Sequence, residues 1–312
     1  MRRLIADIGG THARFALSDG EGDVGESEVL AVADYDGPVA AARSYLKGRT
    51  ADEAVFAVAL PVAADRVKLT NADWDFSIRA VQSDLGLTRL AVINDFVAQA
   101  LAVPQVAPSE LRSVLPGAVD PLGPKAVLGP GTGLGVAGLL PARGGGWRPV
   151  ASEGGHVSFA PGDDEEIEIL RLLRQRHGHV SSERLVSGPG LVAIARACAT
   201  LRNDPFDVTD PAEITRRARA GTCPVSVAAV RRFVAVLGAV AGDVALMFCA
   251  TGGLYIGGGI VPKLGDLLDP ETFRARFVGK GRLGAMLRNI PVQVVLRSEP
   301  GLLGTASYRF ET

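Results

Sequence analysis

Two stretches of this chain follow one plan, and that repetition constrains the fold more than any single motif. The first is an apolar run at 4–8 (Leu-Ile-Ala-Asp-Ile), a Gly-Gly-Thr turn, and a second run at 14–17. The other is an apolar run at 125–128, the turn Gly129-Pro130-Gly131-Thr132-Gly133, and a run at 134–140. Each reads as a buried strand, a glycine turn carrying a hydroxyl, and a neighbouring strand. Further strands are expected at 54–60, 90–93, 254–256 and 292–296. Helices are expected at 95–103, 165–176, 190–201, 227–248 and 300–310. Strands alternating with helices predict an α/β fold with a partly parallel sheet, and the repeated opening predicts two related lobes. Prolines crowd at 104, 108, 116, 121 and 124, which marks a linker. The 227–248 helix carries apolar residues at steps of three and four, a core face, with Asp243 unpaired within one turn of it.

At 312 residues the chain is long enough for about two domains. A content of 47% hydrophobic and 21% charged residues excludes disorder. The net charge of −1 comes from 33 basic and 34 acidic residues, so no electrostatic footprint for nucleic acid or an anionic membrane exists. Cys198, Cys223 and Cys249 form no C-x-x-C pair, which fits a reducing compartment. Met1-Arg2-Arg3 opens like an export signal, but Asp7 and Gly9-Gly10 break the apolar run too early. The most membrane-like stretch, 244–260, holds five glycines and is shorter than about 20 apolar residues. A soluble cytoplasmic protein is expected.

Several motifs can be set aside. None of the five lysines completes G-x-x-x-x-G-K-[ST], and no G-x-S-x-G is present. Gly133, Gly135 and Gly138 match G-x-G-x-x-G, but Leu-Leu-Pro and three more glycines follow, so no dinucleotide-type helix opens there. Glu153 and His156 have E-x-x-H spacing, yet the glycines between them argue against a metal-binding helix. A solvated loop accounts for His177 and His179. The acidic run 163–166 complements the N-terminus of the following helix.

The two glycine turns are more informative. Their backbone N–H groups can converge on a phosphate, glycine allowing close approach and threonine adding a donor. Asp7, directly before the first turn, is a carboxylate suited to Mg²⁺ through water. Asn94-Asp95 sits where a strand ends and a helix begins; a helix cap explains one of the two better than both.

With these motifs in place, the chain resembles the bacterial glucokinase family, within the sugar kinase, actin and Hsp70-type ATPases. The matching segments are LIADIGGTHARFAL (4–17), LTNADWDFS (69–77), INDFVAQALA (93–102), LGPGTGLGVAGL (128–139), SEGGHVSFAP (152–161), SERLVSGPGL (182–191), GGLYIGGGIVPK (252–263) and GLLG (301–304). They occur in family order across nearly the whole chain. The resemblance implies a two-lobed actin/hexokinase-like ATPase fold with ribonuclease H-like lobes and an active site in the cleft between them. It implies a small domain at 1–105, joined by a C-terminal helix at 299–312, and a large domain at 106–298.

It also implies roles, residue by residue. Asp7, Gly9, Gly10 and Thr11 match the first phosphate loop, with Asp7 toward Mg²⁺. Gly131, Thr132 and Gly133 match the second, and Gly257, Gly258 and Gly259 match the segment lining the adenosine pocket. Asp95 matches the base that takes the proton of the sugar 6-hydroxyl. Asn94, Glu153, His156 and Glu183 match residues that hydrogen-bond the other glucose hydroxyls. His12 departs from the family pattern, which has Asn there. The related ROK kinases and repressors usually carry a zinc-binding cysteine cluster; this chain has no cysteine between His156 and Glu183, so no zinc is expected.

These roles suit the chemistry. Sugar hydroxyls both donate and accept, so carboxylates, an amide and an imidazole are fitting partners. Phosphoryl transfer needs in-line positioning, Mg²⁺, N–H donors on the phosphates and an oriented base, with water excluded by closing lobes. The expected function is ATP-dependent phosphorylation of glucose at the 6-hydroxyl, feeding glycolysis, with glucose and ATP as partners. The alternatives are a kinase for another hexose and a non-catalytic sugar sensor on the same fold. A homodimer is suggested by the resemblance alone.

Overall fold

The computed structural model describes residues 1–310 apart from Glu21 and Asn71. Asn71, within the 69–77 motif, and the last two residues of the expected 299–312 helix therefore lie outside the described residues. Contacts divide the chain into two compact units: Met1–Glu110, Ala142–Ala151 and Arg297–Thr312 form one, Leu111–Pro141 and Ser152–Leu296 the other.

Unit 1 is built on β1 (Arg3–Ile8), β2 (His12–Ser18), β3 (Glu28–Ala31), β4 (Glu53–Val58) and β7 (Arg89–Asn94), in the order β3-β2-β1-β4-β7. A small hairpin of β5 (Arg66–Lys68) and β6 (Asp75–Ser77) lies apart from that sheet. Three helices, α1 (Pro38–Leu46), α2 (Ile78–Asp84) and α3 (Asp95–Ala102), complete the N-terminal portion. β1 is antiparallel to β2 but parallel to β4, which is parallel to β7. Both parallel connections pass through a helix, as parallel pairing requires. Every residue of β4 is buried, which suits a strand between two others. Its Glu53 is charged, and Arg3 and Arg89 both contact its carboxylate at 2.6 Å. A buried carboxylate left without such partners would be strongly destabilising.

The last helix of the chain, α11 (Pro300–Ala306), belongs to this unit and packs on α3 and β1. Leu302 and Ala306 join Ile5 and Ala16 in a separate small core. The helix ends at Ala306, short of the expected 310. Arg3 Nη1 donates to the carbonyls of Ala306 and Tyr308, both at 2.8 Å, and Ser307 Oγ donates to Leu303 O at 2.8 Å. Orphan carbonyls at the helix end are thereby satisfied without another turn.

Unit 2 contains β8 (Leu111–Leu115), β9 (Lys125–Pro130), β10 (Leu134–Pro141), β12 (Leu254–Ile256) and β13 (Val292–Val295), ordered β10-β9-β12-β13-β8. β11 (Trp147–Ser152) brings the chain back into this unit after residues 142–151. β9 and β10 are antiparallel, and β12 is parallel to both β9 and β13. The helices are α4 (Asp164–Arg174), α5 (Gly188–Arg202), α6 (Pro211–Arg219), α7 (Pro224–Met247), α8 (Ile260–Leu264), α9 (Pro270–Val278) and α10 (Gly284–Leu287).

α7 is the core helix, packed by α5, α6 and α9. It is long and apolar enough to cross a membrane, but 78% of its most apolar window is buried in the unit. Asp243, expected to be unpaired, meets Lys280 at 2.6 Å, a partner that lies beyond α9 in sequence. The acidic run does more than complement a helix dipole. Asp163 caps α4 by accepting from Glu166 N at 2.9 Å, and buried Glu166 pairs with Arg276 at 2.7 Å and Arg232 at 3.0 Å. Those pairs tie α4 to α7 and α9.

Candidate active site

In unit 1 the parallel register aligns Ile8 with Val58 and Val58 with Asn94. The strands β1, β4 and β7 therefore end level. Their carboxyl ends carry the turn Gly9-Gly10-Thr11 and the Asn94-Asp95 pair at the same sheet edge. Two strand spacings separate them, about 10 Å. Ligands of open α/β sheets gather at such strand ends.

The first turn is closed by Gly9 N–H donating to His12 O at 2.9 Å. Because the His12 carbonyl makes that bond and its side chain is exposed, the turn does not depend on the departure from Asn at this position. Asp7 lies at the end of β1, opposite Arg14 across the hairpin. Burial pushes the Asp7 carboxyl above its usual range; Arg14 opposes the shift and Glu299 adds to it. Arg14 Nε is 3.3 Å from Glu299 Oε1. Gly301 closes the back of this group: a Cβ there would sit 2.7 Å from Asp7 Oδ2.

Asn94 is the N-cap of α3, its Oδ1 accepting from Phe96 N at 2.8 Å and Val97 N at 3.3 Å. Asp95 Oδ1 accepts from the same Phe96 N–H at 2.9 Å. Asn94 Nδ2 is 3.4 Å from Leu60 O. Both side chains are partly exposed.

Unit 2 repeats the arrangement. β9 and β12 are parallel neighbours, with Ile256 level with Leu128, and each runs into a glycine turn. Gly257 N–H donates to Leu128 O at 2.8 Å, so the 257–259 turn lies along the end of β9. Gly258 has φ +77°, and a Cβ there would be 2.5 Å from Pro130 O; only glycine fits both the conformation and the approach. The 131–133 turn is closed by Gly131 N–H donating to Gly133 O at 2.8 Å. Gly188 N–H, at the start of α5, donates to Gly131 O at 2.9 Å. Thr132 is exposed at the tip.

Glu183 stands beside this turn, its Oε2 accepting from Leu134 N at 2.9 Å. Glu153 precedes a single 3₁₀ turn, Gly154–His156, whose last residue is His156, and both side chains are exposed. Gly155 is pressed onto β10, where a Cβ would fall 1.9 Å from Leu134 O, which explains the glycine there. Ser182 N donates to Val157 O and Phe159 N to Val180 O, each at 2.9 Å. These bonds lace the Glu153-His156 segment to the one holding Glu183. His179, expected in a solvated loop, is exposed but bonds Ser158 Oγ at 3.0 Å. Thr132, Glu183 and Ser187 line a cavity of about 530 Å³ whose walls also include Arg176, Arg184 and Arg196.

The structure therefore gathers the expected residues into two groups. Asp7, Gly9, Gly10, Thr11, Asn94 and Asp95 belong to unit 1. Gly131–Gly133, Glu153, His156, Glu183 and Gly257–Gly259 belong to unit 2. Sequence reasoning passed over Arg14, Glu299 and Gly301. Arg14 could have been found by pairing residues outward from the Gly-Gly-Thr hairpin, whereas Glu299 and Gly301 carry no local signal. Among the described residues, no group of three or more His, Cys, Asp or Glu side chains is placed to hold a metal ion.

A family model described as Glucokinase matches residues 4–311. The chain is 46% identical over 310 residues to a glucokinase of Aromatoleum aromaticum, covering 98% of this chain and 93% of that protein. Among solved structures, a glucokinase from an Antarctic psychrotroph matches with a TM-score of 0.91 at 36% identity, covering 98% of each chain. A ROK family glucokinase from Streptomyces griseus, solved with glucose and AMPPNP, shares the fold at a TM-score of 0.64 and 23% identity, covering 98% of each chain.

Proposed function

The chain belongs to the glucokinase family, and from that premise we propose how its residues divide the work of phosphorylating glucose with ATP. The enzyme has the actin/hexokinase-like ATPase fold and is a sugar kinase. The observation that carries the assignment is the level ending of β1, β4 and β7, which puts a glycine turn and the Asn94-Asp95 pair on one sheet edge.

In this reading the N–H groups of the Gly9-Gly10-Thr11 and Gly131-Thr132-Gly133 turns receive phosphate oxygens, with the threonine hydroxyls as further donors. The Gly257–Gly259 turn lines the adenosine. Glu153, His156, Glu183 and Asn94 bind sugar hydroxyls. Asn94 does so through its NH₂ group, because its Oδ1 is committed to the cap of α3. Asp95 accepts the proton of the 6-hydroxyl as that oxygen attacks the γ-phosphorus in line. Its place at the first residue of α3, directly after β7, supports that role. Asp7 fits a cation held through water: burial disfavours its charged form, and a neighbouring divalent ion offsets that cost. Mg²⁺ bound there with ATP would neutralise phosphate charge.

A coupled assay over a hexose panel with ATP and Mg²⁺ tests the whole reading. Turnover on glucose exceeding that on its epimers is expected. Faster turnover on another hexose would transfer the same roles to that sugar, and no turnover on any hexose would leave a sugar sensor. A cytoplasmic location and a homodimer complete the proposal, both from the family resemblance; sedimentation velocity tests the second.

A further inference from the structure

Every residue lining the cavity of about 530 Å³ beside Glu183 belongs to unit 2. A Cβ on Gly188 would lie 3.6 Å from Pro211 Cγ and 3.9 Å from Ile260 Cδ1, so α6 and α8 both approach the start of α5. Among the described residues, none from α6, α8 or the Gly257–Gly259 turn lines the cavity. Its walls come instead from α5, along about 20 Å between Ser187 and Thr200, and from Leu172 and Leu173 of α4. The cavity is therefore separate from the turn assigned to adenosine.

Three arginines from different segments line this space. Arg176 follows α4, Arg184 ends the 3₁₀ turn Ser182–Arg184, and Arg196 stands within α5. Among the described residues, none of the three guanidinium groups makes a hydrogen bond or an ion pair. By contrast, Arg171 of α4 meets Glu168 at 2.6 Å and Arg202 of α5 meets Asp204 at 3.4 Å. Two hydroxyls of the wall are already committed. Ser187 Oγ donates to Glu183 O at 2.7 Å and accepts from Gly190 N at 3.0 Å, and Thr200 Oγ1 donates to Arg196 O at 3.0 Å. The one carboxylate of the wall, Glu183, accepts from Leu134 N. With His177 neutral, three cations against one anion leave two positive charges unmatched.

We propose that this cavity binds the phosphate group of a small phosphorylated molecule. Guanidinium forks match phosphate oxygens in pairs, and clefts lined by one sign of charge concentrate the opposite ion. A phosphate monoester carries close to two negative charges at pH 7, which balances the two left over. A single carboxylate would balance only one. A volume of this size suits a small molecule. Binding here does not require turnover, so it stands or falls separately from the kinase reading.

The full-length protein is titrated by calorimetry with inorganic phosphate and, separately, with glycerol 3-phosphate, at neutral pH and constant ionic strength. At least one should bind, and the tighter of the two distinguishes free phosphate from an ester as the natural occupant. The double variant Arg176→Gln/Arg196→Gln changes two exposed side chains without partners, so its melting temperature should match the wild type. Its affinity for the bound probe should fall at least about tenfold through the loss of charge-assisted hydrogen bonds. Arg196→Gln alone should show part of that loss. A wild-type protein that binds neither probe would overturn the proposal. So would an unchanged affinity in the folded double variant, which would move the anion to the glycine turns. A polyglutamate peptide binding more tightly than either probe would also overturn it.

Discussion

Asn94 and Asp95 share one donor: the backbone N–H of Phe96 lies 2.8 Å from Asn94 Oδ1 and 2.9 Å from Asp95 Oδ1. Capping therefore occupies the amide oxygen of one residue and a carboxylate oxygen of the other. Asn at position 95 could still accept that N–H, so Asp95→Asn should fold normally and bind glucose with near-normal affinity by calorimetry. It removes the proton acceptor, and kcat should fall by at least about 10²-fold, within the usual contribution of a general base. Retention of more than about a tenth of the wild-type kcat would make Asp95 a capping residue and no more.

Glu183→Gln should act mainly on glucose binding. The Leu134 N–H already occupies Oε2, so the amide oxygen of Gln would take that place and turn its NH₂ group outward. The sugar then loses a charged acceptor, worth roughly 1.5–3 kcal/mol. KM for glucose should rise roughly tenfold to a hundredfold, with a smaller fall in kcat. Steady-state kinetics showing an unchanged KM would remove Glu183 from the sugar site.

Gly301→Ala places a methyl group 2.7 Å from Asp7 Oδ2. Either Asp7 or α11 must shift, at a cost of about 1–3 kcal/mol. A lowered melting temperature together with a raised KM for ATP is expected, since the displaced carboxylate precedes the first phosphate loop. A variant with wild-type melting and wild-type KM for ATP would show that the contact is slack.

Asp7→Asn should stabilise the ligand-free protein at neutral pH while impairing catalysis. The folded-state pKa of Asp7 is raised, by burial first. The unfolded chain therefore ionises this group more readily, and stability falls as pH rises through the ordinary carboxylate range. Replacing the carboxyl with a neutral amide removes that loss. The gain should be present at pH 7 and should vanish at a pH low enough to protonate Asp7 in both states. Melting curves across pH test this; a variant less stable than wild type at pH 7 would reverse the assigned sign.

The parts of the fold that are written locally were legible in the sequence. The strand–turn–strand openings need only apolar runs and glycines a few residues apart, and β1 with β2 and β9 with β10 form as hairpins on that basis. The start of α3 could be read because capping residues act within one turn. Features fixed by long-range packing were not legible. Asp243 had no visible partner because Lys280 lies 37 positions later, beyond an intervening helix. The end of α11 was misplaced because Arg3, at the other end of the chain, takes its terminal carbonyls. In the candidate site, Asp7 and the glycine turns stood out by composition. The Glu299 and Gly301 contacts on Asp7 depend on how α11 packs on β1, which no local pattern records.

The bond from Arg3 to Ala306 also sets an order of events during synthesis. Unit 1 begins the chain, yet it lacks α11 until residues 300–308 have been made. At about 5–20 residues per second, the N-terminal strands wait some tens of seconds for them. The segments of unit 2 are all available earlier, by residue 296. The nascent polypeptide should therefore acquire protease resistance first in unit 2, while β1 exposes Ile5 to chaperones. Stalling translation so that residue 296 is the last to leave the exit tunnel should leave β1 open to cleavage. Protection of β1 at that point would mean that the N-terminal sheet holds together without its last helix.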